Sequence, residues 1–192
     1  MMNAMAISLP DGRASQFLSA GLLCFCALLV PCIIIEPQVF HEDLGLSNYG
    51  INPHTEMFYA LAFLASIFCN LRAAGIVQNH GFTWSLRGIS LLQVALLVVP
   101  DSHVDAIRHA HVAIGMALFG AELLLTLWLA AQARQRAVDI TILFLQILAC
   151  TSSYLSLIHV LGWEAPSQLV FQVCFMMICI RAARRYGMEV RT

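Results

Sequence analysis

The chain has 192 residues, of which 60% are hydrophobic and only 11% charged, against roughly 45–50% and about 25% in an average soluble domain. Ten basic and eleven acidic side chains leave a net charge of −1, and mean hydropathy is +0.80. Such a composition excludes a water-soluble surface, and the near-neutral charge offers no field for nucleic acid.

Crossing hydrocarbon as a helix takes about 20 mostly apolar residues. Six stretches meet or approach this, at about 17–38, 55–76, 86–100, 107–131, 138–160 and 166–183. No ten-residue units alternate polar and apolar residues, so a transmembrane barrel is excluded. The expectation is one all-α domain over residues 1–192, an integral bundle of six transmembrane helices in the inner (plasma) membrane.

The first apolar stretch follows Arg13 and lacks the small-x-small site of a cleaved signal. With the N-terminus inside, the cytoplasmic ends hold Arg13, Arg72, Arg87, Arg134, Arg136, Arg181, Arg184, Arg185 and Arg191, and the outer side holds only Arg108. The positive-inside rule then places both termini in the cytoplasm. All seven cysteines fall within apolar runs and read as small buried hydrophobes rather than a disulfide framework.

Between the first two spans lies a long outer loop, His41-Glu-Asp-Leu-Gly-Leu-Ser47-Asn48-Tyr49-Gly50-Ile-Asn52-Pro53. Asn48 and Gly50 suit a turn, and Asn52 followed by Pro53 reads as the N-cap and first residue of the second span. The loop reads as a lid over the outer end of the bundle or, alternatively, as closing a pocket to which it presents Ser47, His41 or His54, with Ser47, Asn48, Tyr49, His54 and Glu164 as candidate ligand or lid residues. The third span ends at Pro100-Asp101, and Asp101, His103, Asp105, His109 and His111 follow within eleven residues. With His159 they would suit a first-row divalent ion, the candidate ligands being Asp101, His109, His111 and His159. However, His109 and His111 face apart on a helix. A single haem would take His111 and His159 as its axial pair at the outer boundary, but no second pair lies at the inner face, where His80 stands alone in a loop, so haem is the less favoured cofactor.

The fourth span carries Glu122, the one acid well within a span and, counted from the outer start of the helix, in the inner half of the bilayer. Arg72 and Arg87 lie at similar depth and are its expected partners, the alternative being polar groups of neighbouring helices. Gln93, Gln146 and Asn70 suit the same polar layer. The turn Gly162-Trp163-Glu164 precedes the last span, and Arg181, Arg184, Arg185 and Arg191 form a basic patch that favours anionic lipid.

Three of these features carry a resemblance: the Ser-x-x-Gly outer loop (Ser47 to Gly50), Pro100-Asp101 followed by His109 or His111, and Glu164 at the last outer corner. Together they resemble six-helix bacterial membrane proteins of unknown function that are distantly similar to the damage-regulated autophagy modulators. The resemblance implies a six-helix multi-pass bundle and no particular chemistry, although the eukaryotic relatives are linked to membrane lipid organisation.

The function read from these residues is non-enzymatic binding of lipid or a membrane partner, including a second copy of the chain, at an outward polar end. The alternative is a metal-dependent lipid hydrolase with Ser47, Asp101 and His109 as catalytic candidates. Ceramidase-type enzymes, however, use seven helices and a late His-x-x-x-His that this chain lacks. A haem- or quinone-linked electron-transfer role is a lesser alternative.

Overall fold

In hydrocarbon a peptide N–H has only its own helix to bond to, so long apolar segments must close as helices. The structure, a computed structural model, describes residues 12–41, 44–101, 104–133, 136–158 and 161–188. Six helices are long and apolar enough to cross a membrane: α1 (Arg13–Ile35), α3 (Glu56–Ala74), α4 (His80–Val98), α5 (Asp105–Ala131), α6 (Arg136–Leu157) and α7 (Glu164–Met188). A short α2 (Gln38–His41) and a 3-10 helix (Leu46–Gly50) lie between α1 and α3, and no strand occurs among the described residues. The chain is a multi-pass membrane protein built as an all-α six-helix bundle.

Helix α7 occupies the middle of the bundle, packing on α1, α5 and α6, while α3 joins α1 to α4 and α4 joins α5. Its buried side chains include Phe171, Cys174, Phe175, Ile178, Cys179 and Ala182. One apolar cluster joins Leu18, Phe82, Leu86, Leu129 and Phe175. A second joins Phe25, Leu29, Tyr49, Tyr59 and Phe63 beneath the loop after α1. Lipid tails are as apolar as leucine, so the first cluster holds by close packing rather than by exclusion of water.

Two helix starts differ from the sequence reading. Helix α4 begins at His80 rather than near 86, because the Asn79 side chain accepts the Phe82 N–H at 2.9 Å and caps the helix. His80 is therefore the first residue of a helix and not a loop residue. Helix α3 begins at Glu56, after Thr55. Asn52 instead closes a turn just upstream, its Oδ1 accepting the His54 N–H at 2.9 Å and its carbonyl accepting from Thr55 and Glu56. Cys24 is exposed on the outside of α1 rather than buried.

Helices α5 and α7 run in the same direction, with Phe119 against Phe171, Glu122 against Gln172, and the Leu129 carbonyl against Arg185. This register corrects the depth of Glu122. At about 1.5 Å per residue, Glu122 lies about 16 Å inward of His111 and Gln172 lies about 12 Å from the start of α7. Arg185 is about 20 Å further along α7. Glu122 thus sits near the middle of the bundle.

Candidate functional site: a lidded cavity at the arginine-poor end

The second apolar cluster explains how a water-facing loop is held on a membrane bundle. Tyr49 is fully buried under the 3-10 helix, together with Leu46. The Leu46 N–H donates to Gln168 Oε1 of α7 at 2.8 Å, and Gln168 Nε2 donates to Glu164 Oε1 at 2.9 Å. Asn48 Nδ2 donates to the Gly45 carbonyl at 3.1 Å, and Thr55 Oγ1 donates to the Tyr49 carbonyl at 2.8 Å. Two glycines permit this closeness. A Cβ on Gly45 would lie 2.7 Å from Glu164 Oε1, and one on Gly50 would lie 2.8 Å from the Tyr59 ring. Burial pushes the Tyr49 phenol up to about 12, with smaller contributions from Cys32 and Glu36. Its hydroxyl has no hydrogen-bond partner among the described residues.

Beside the lid, between α3, α4 and α5, lies a cavity of about 300 Å³. Ser47, Glu56, Tyr59, Asp101 and His111 contribute its polar lining, and Met57, Ala60, Leu96 and Leu97 its apolar lining. His111 is 8% exposed, and its Nδ1 lies 2.6 Å from the Val99 carbonyl at the end of α4. A carbonyl only accepts, so Nδ1 carries a proton, and in the neutral imidazole Nε2 is then the acceptor. Tyr59 is 6% exposed and lines the same space.

The structure therefore brings Ser47, Asp101 and His111 around one cavity, and adds Glu56 and Tyr59. His109 is exposed and does not line it. Asn48, Tyr49 and Glu164 fasten the lid rather than line the cavity, and His54 is exposed beside it. His159, His103, Glu42 and Asp43 lie outside the described residues. Among the described residues no three His, Cys, Asp or Glu side chains gather closely enough to hold a metal. The spacing of Glu56 and Tyr59, one helical turn apart on α3, was a readable signal for a shared face. Tyr59 was concealed by its place in an apolar span.

The intramembrane pairing takes the second of its two expected forms. Glu122 is fully buried and its Oε2 accepts from Gln172 Nε2 at 2.7 Å, a neutral amide rather than an arginine. Arg72 instead lies 5.5 Å over the Phe17 ring, and Arg87 lies 5.0 Å over Trp84. Both are cation–π contacts near the arginine-rich end. Asn70 Nδ2 reaches Gln93 Oε1 at 3.4 Å. The basic patch on α7 is also partly committed. Arg181 Nε and Arg185 Nη1 meet the buried Asp139 at 2.5 Å and 2.9 Å. Arg184 is exposed, and Arg191 lies outside the described residues.

Comparison with protein-family models, curated proteins and solved structures finds no match to this chain.

Proposed function

We propose that this protein binds the polar end of a lipid in the cavity beneath the 46–50 lid, entered from the outer leaflet between α3 and α4. The observation that carries this reading is the division of the cavity lining. Ser47, Glu56, Asp101 and His111 form a polar side, while Met57, Ala60, Leu96 and Leu97 form an apolar one. A cavity of about 300 Å³ stands at the small end of ligand sites and accommodates a headgroup rather than a whole lipid. Exposed Met57, Leu61 and Leu64 along α3 give the acyl chains an apolar surface to follow. The arginine asymmetry supports placing this end on the side away from the cytoplasm. The lid also carries the Ser47-x-x-Gly50 segment through which the chain resembles the autophagy-modulator-like group, and a lipid-binding role agrees with that resemblance.

Native mass spectrometry of the protein released from membranes tests the reading. Wild type retains bound lipid, and Ala60→Trp, which fills the cavity from α3, loses it. Equal lipid retention by both proteins removes the site from consideration.

A second reading rests on Ser47, Asp101 and His111 lining one space, as a lipid hydrolase would need. His111 Nδ1 is already engaged by a backbone carbonyl, so Asp101 does not orient the ring through that nitrogen. Lipid turnover abolished by Ser47→Ala with binding intact would favour the enzyme.

A further inference from the structure

A second recess lies toward the opposite end of the bundle from the lid. A groove of about 530 Å³ runs between α4 and α5, lined by Ser85, Gly88, Leu92, Ala121, Leu124 and Trp128 among others and by no charged side chain. It opens toward the membrane, since Gly88, Leu124 and Trp128 are exposed. On α5 it extends from Ala121, next to the mid-bundle Glu122, to Trp128, next to Leu129, whose carbonyl accepts from Arg185. The groove therefore follows one leaflet, from the middle of the bilayer to the level of the arginine cluster.

Glycine on a spanning helix ordinarily lets a neighbouring helix approach closely. Gly88 has no such use within this chain, because a Cβ placed on it would meet nothing within 4 Å. Its missing side chain deepens the groove instead. Beside that opening stands a cation without a counter-ion. Trp84 lies one turn before Gly88 on the same face of α4, and the Arg87 guanidinium lies 5.0 Å over the Trp84 ring. Arg87 is exposed and pairs with no carboxylate among the described residues. Asp139, the one described acid at this end, is buried and held by Arg181 and Arg185.

Charge decides between the two occupants that an apolar membrane groove could take. A second copy docked about a twofold axis here would bring its own Arg87 to the same rim, with no exposed described acid to offset the two charges. A phospholipid brings an apolar chain for the groove and a phosphate for the guanidinium.

We infer that the α4–α5 groove holds an acyl chain of an anionic phospholipid from the leaflet at the arginine-rich end, with Arg87 meeting its headgroup. This site is separate from the lid cavity and serves the other leaflet.

Native mass spectrometry of the full chain in detergent, titrated with phosphatidylglycerol or phosphatidylcholine of matched chains, tests the assignment. Phosphatidylglycerol is expected to bind about fivefold more tightly than phosphatidylcholine, the ratio that about 1 kcal/mol per charge near the surface supplies. Arg87→Gln should bring the two lipids to equal affinity. Gly88→Leu, whose side chain enters open space, should abolish retention of one phosphatidylglycerol, whereas Ala60→Trp in the lid cavity should leave that molecule bound. Thermal unfolding in detergent shows that the variants are folded. Equal affinities of the wild type for the two lipids overturn the inference without recourse to any variant. A preference that survives Arg87→Gln overturns it too, as does undiminished lipid retention by Gly88→Leu. A dimer mass lost in Gly88→Leu would assign the groove to a second copy and equally overturn the lipid.

Discussion

The two ends of the bundle treat their acids in opposite ways. At the arginine-rich end Asp139 is fully buried, yet Arg181 and Arg185 approach both of its oxygens. Arg185 also donates to the Leu129 carbonyl at 3.2 Å, so one cluster ties α5, α6 and α7 together. At the arginine-poor end Glu56 and Asp101 face a cavity with no guanidinium in its lining. An acid cancelled by two cations is committed to holding helices together. Acids that line a cavity instead are placed where a ligand can reach them.

The largest expected effect tests the first half of that contrast. Asp139→Ala leaves two guanidinium groups beside an apolar methyl. Breaking a buried pair costs about 3–5 kcal/mol in soluble proteins, and partial exposure of both arginines reduces this to about 2–3 kcal/mol. Asp139→Asn, which keeps an acceptor at nearly equal volume, should lose less. Thermal unfolding in detergent measures both. A wild-type midpoint in Asp139→Ala would mean that the cluster marks topology and contributes no stability.

The lid comes next. Gly45→Ala pushes a methyl toward Glu164 Oε1, the far end of a flexible side chain that can swing away, so the cost is the Glu164–Gln168 hydrogen bond, about 1 kcal/mol. Gln168→Leu removes the acceptor of the Leu46 N–H and costs about 1–2 kcal/mol. Both should expose the 42–54 segment to proteases while the spanning helices stay protected. Cleavage spreading through the whole chain would mean that lid and bundle unfold together.

Much of the fold was legible because the bilayer imposes length and composition on every crossing segment. Arg13 and Arg185 mark one end as plainly as any contact. The site was less legible because its contacts are distant in sequence. The bond from Leu46 to Gln168 spans 122 residues, and no local pattern announces it. His109 and His111 were expected to face apart. Which of them turns inward depends on the Val99 carbonyl left unpaired where α4 ends. Nothing in the sequence around Asp139 marks its partners, and only the packing of α6 on α7 brings the arginines to it. Glu122 was expected near Arg72 and Arg87, but depth counted from a helix start misleads when that helix projects beyond its neighbours, as α5 does relative to α7.

A smaller effect sharpens the contrast at the lid. The buried Tyr49 phenol keeps its proton up to about 12, whereas a free phenol releases it near 10. The associated stability is fully present below pH 10 and is lost as pH rises through that window. Thermal unfolding between pH 9 and about pH 11.5 should therefore show an alkaline decline in wild type that is shallower in Tyr49→Phe. At neutral pH Tyr49→Phe should be neutral or slightly stabilising, because it removes a buried hydroxyl with no partner. Identical alkaline profiles would show that the phenol does not govern the lid.

The smallest effect lies between the two ends. Glu122 has neither the paired arginines of Asp139 nor the open cavity of Glu56, and its partner is the amide of Gln172. Polar pairs within membranes couple by about 0.6 kcal/mol on average and about 1.7 kcal/mol at most, because the separated helices also find partners. A double-mutant cycle with Glu122→Leu and Gln172→Leu should return a coupling in that range. Glu122→Gln keeps an acceptor oxygen at nearly equal volume, so it should unfold closer to wild type than Glu122→Leu, which leaves the Gln172 amide without its acceptor. Thermal unfolding of the four cycle members and Glu122→Gln in one detergent decides the matter. A coupling near zero, with Glu122→Leu as stable as wild type, would show that this carboxyl group is not structural glue. Helix association would then rest on the Asp139 cluster, apolar packing and the remaining polar contacts, such as Asn70 with Gln93.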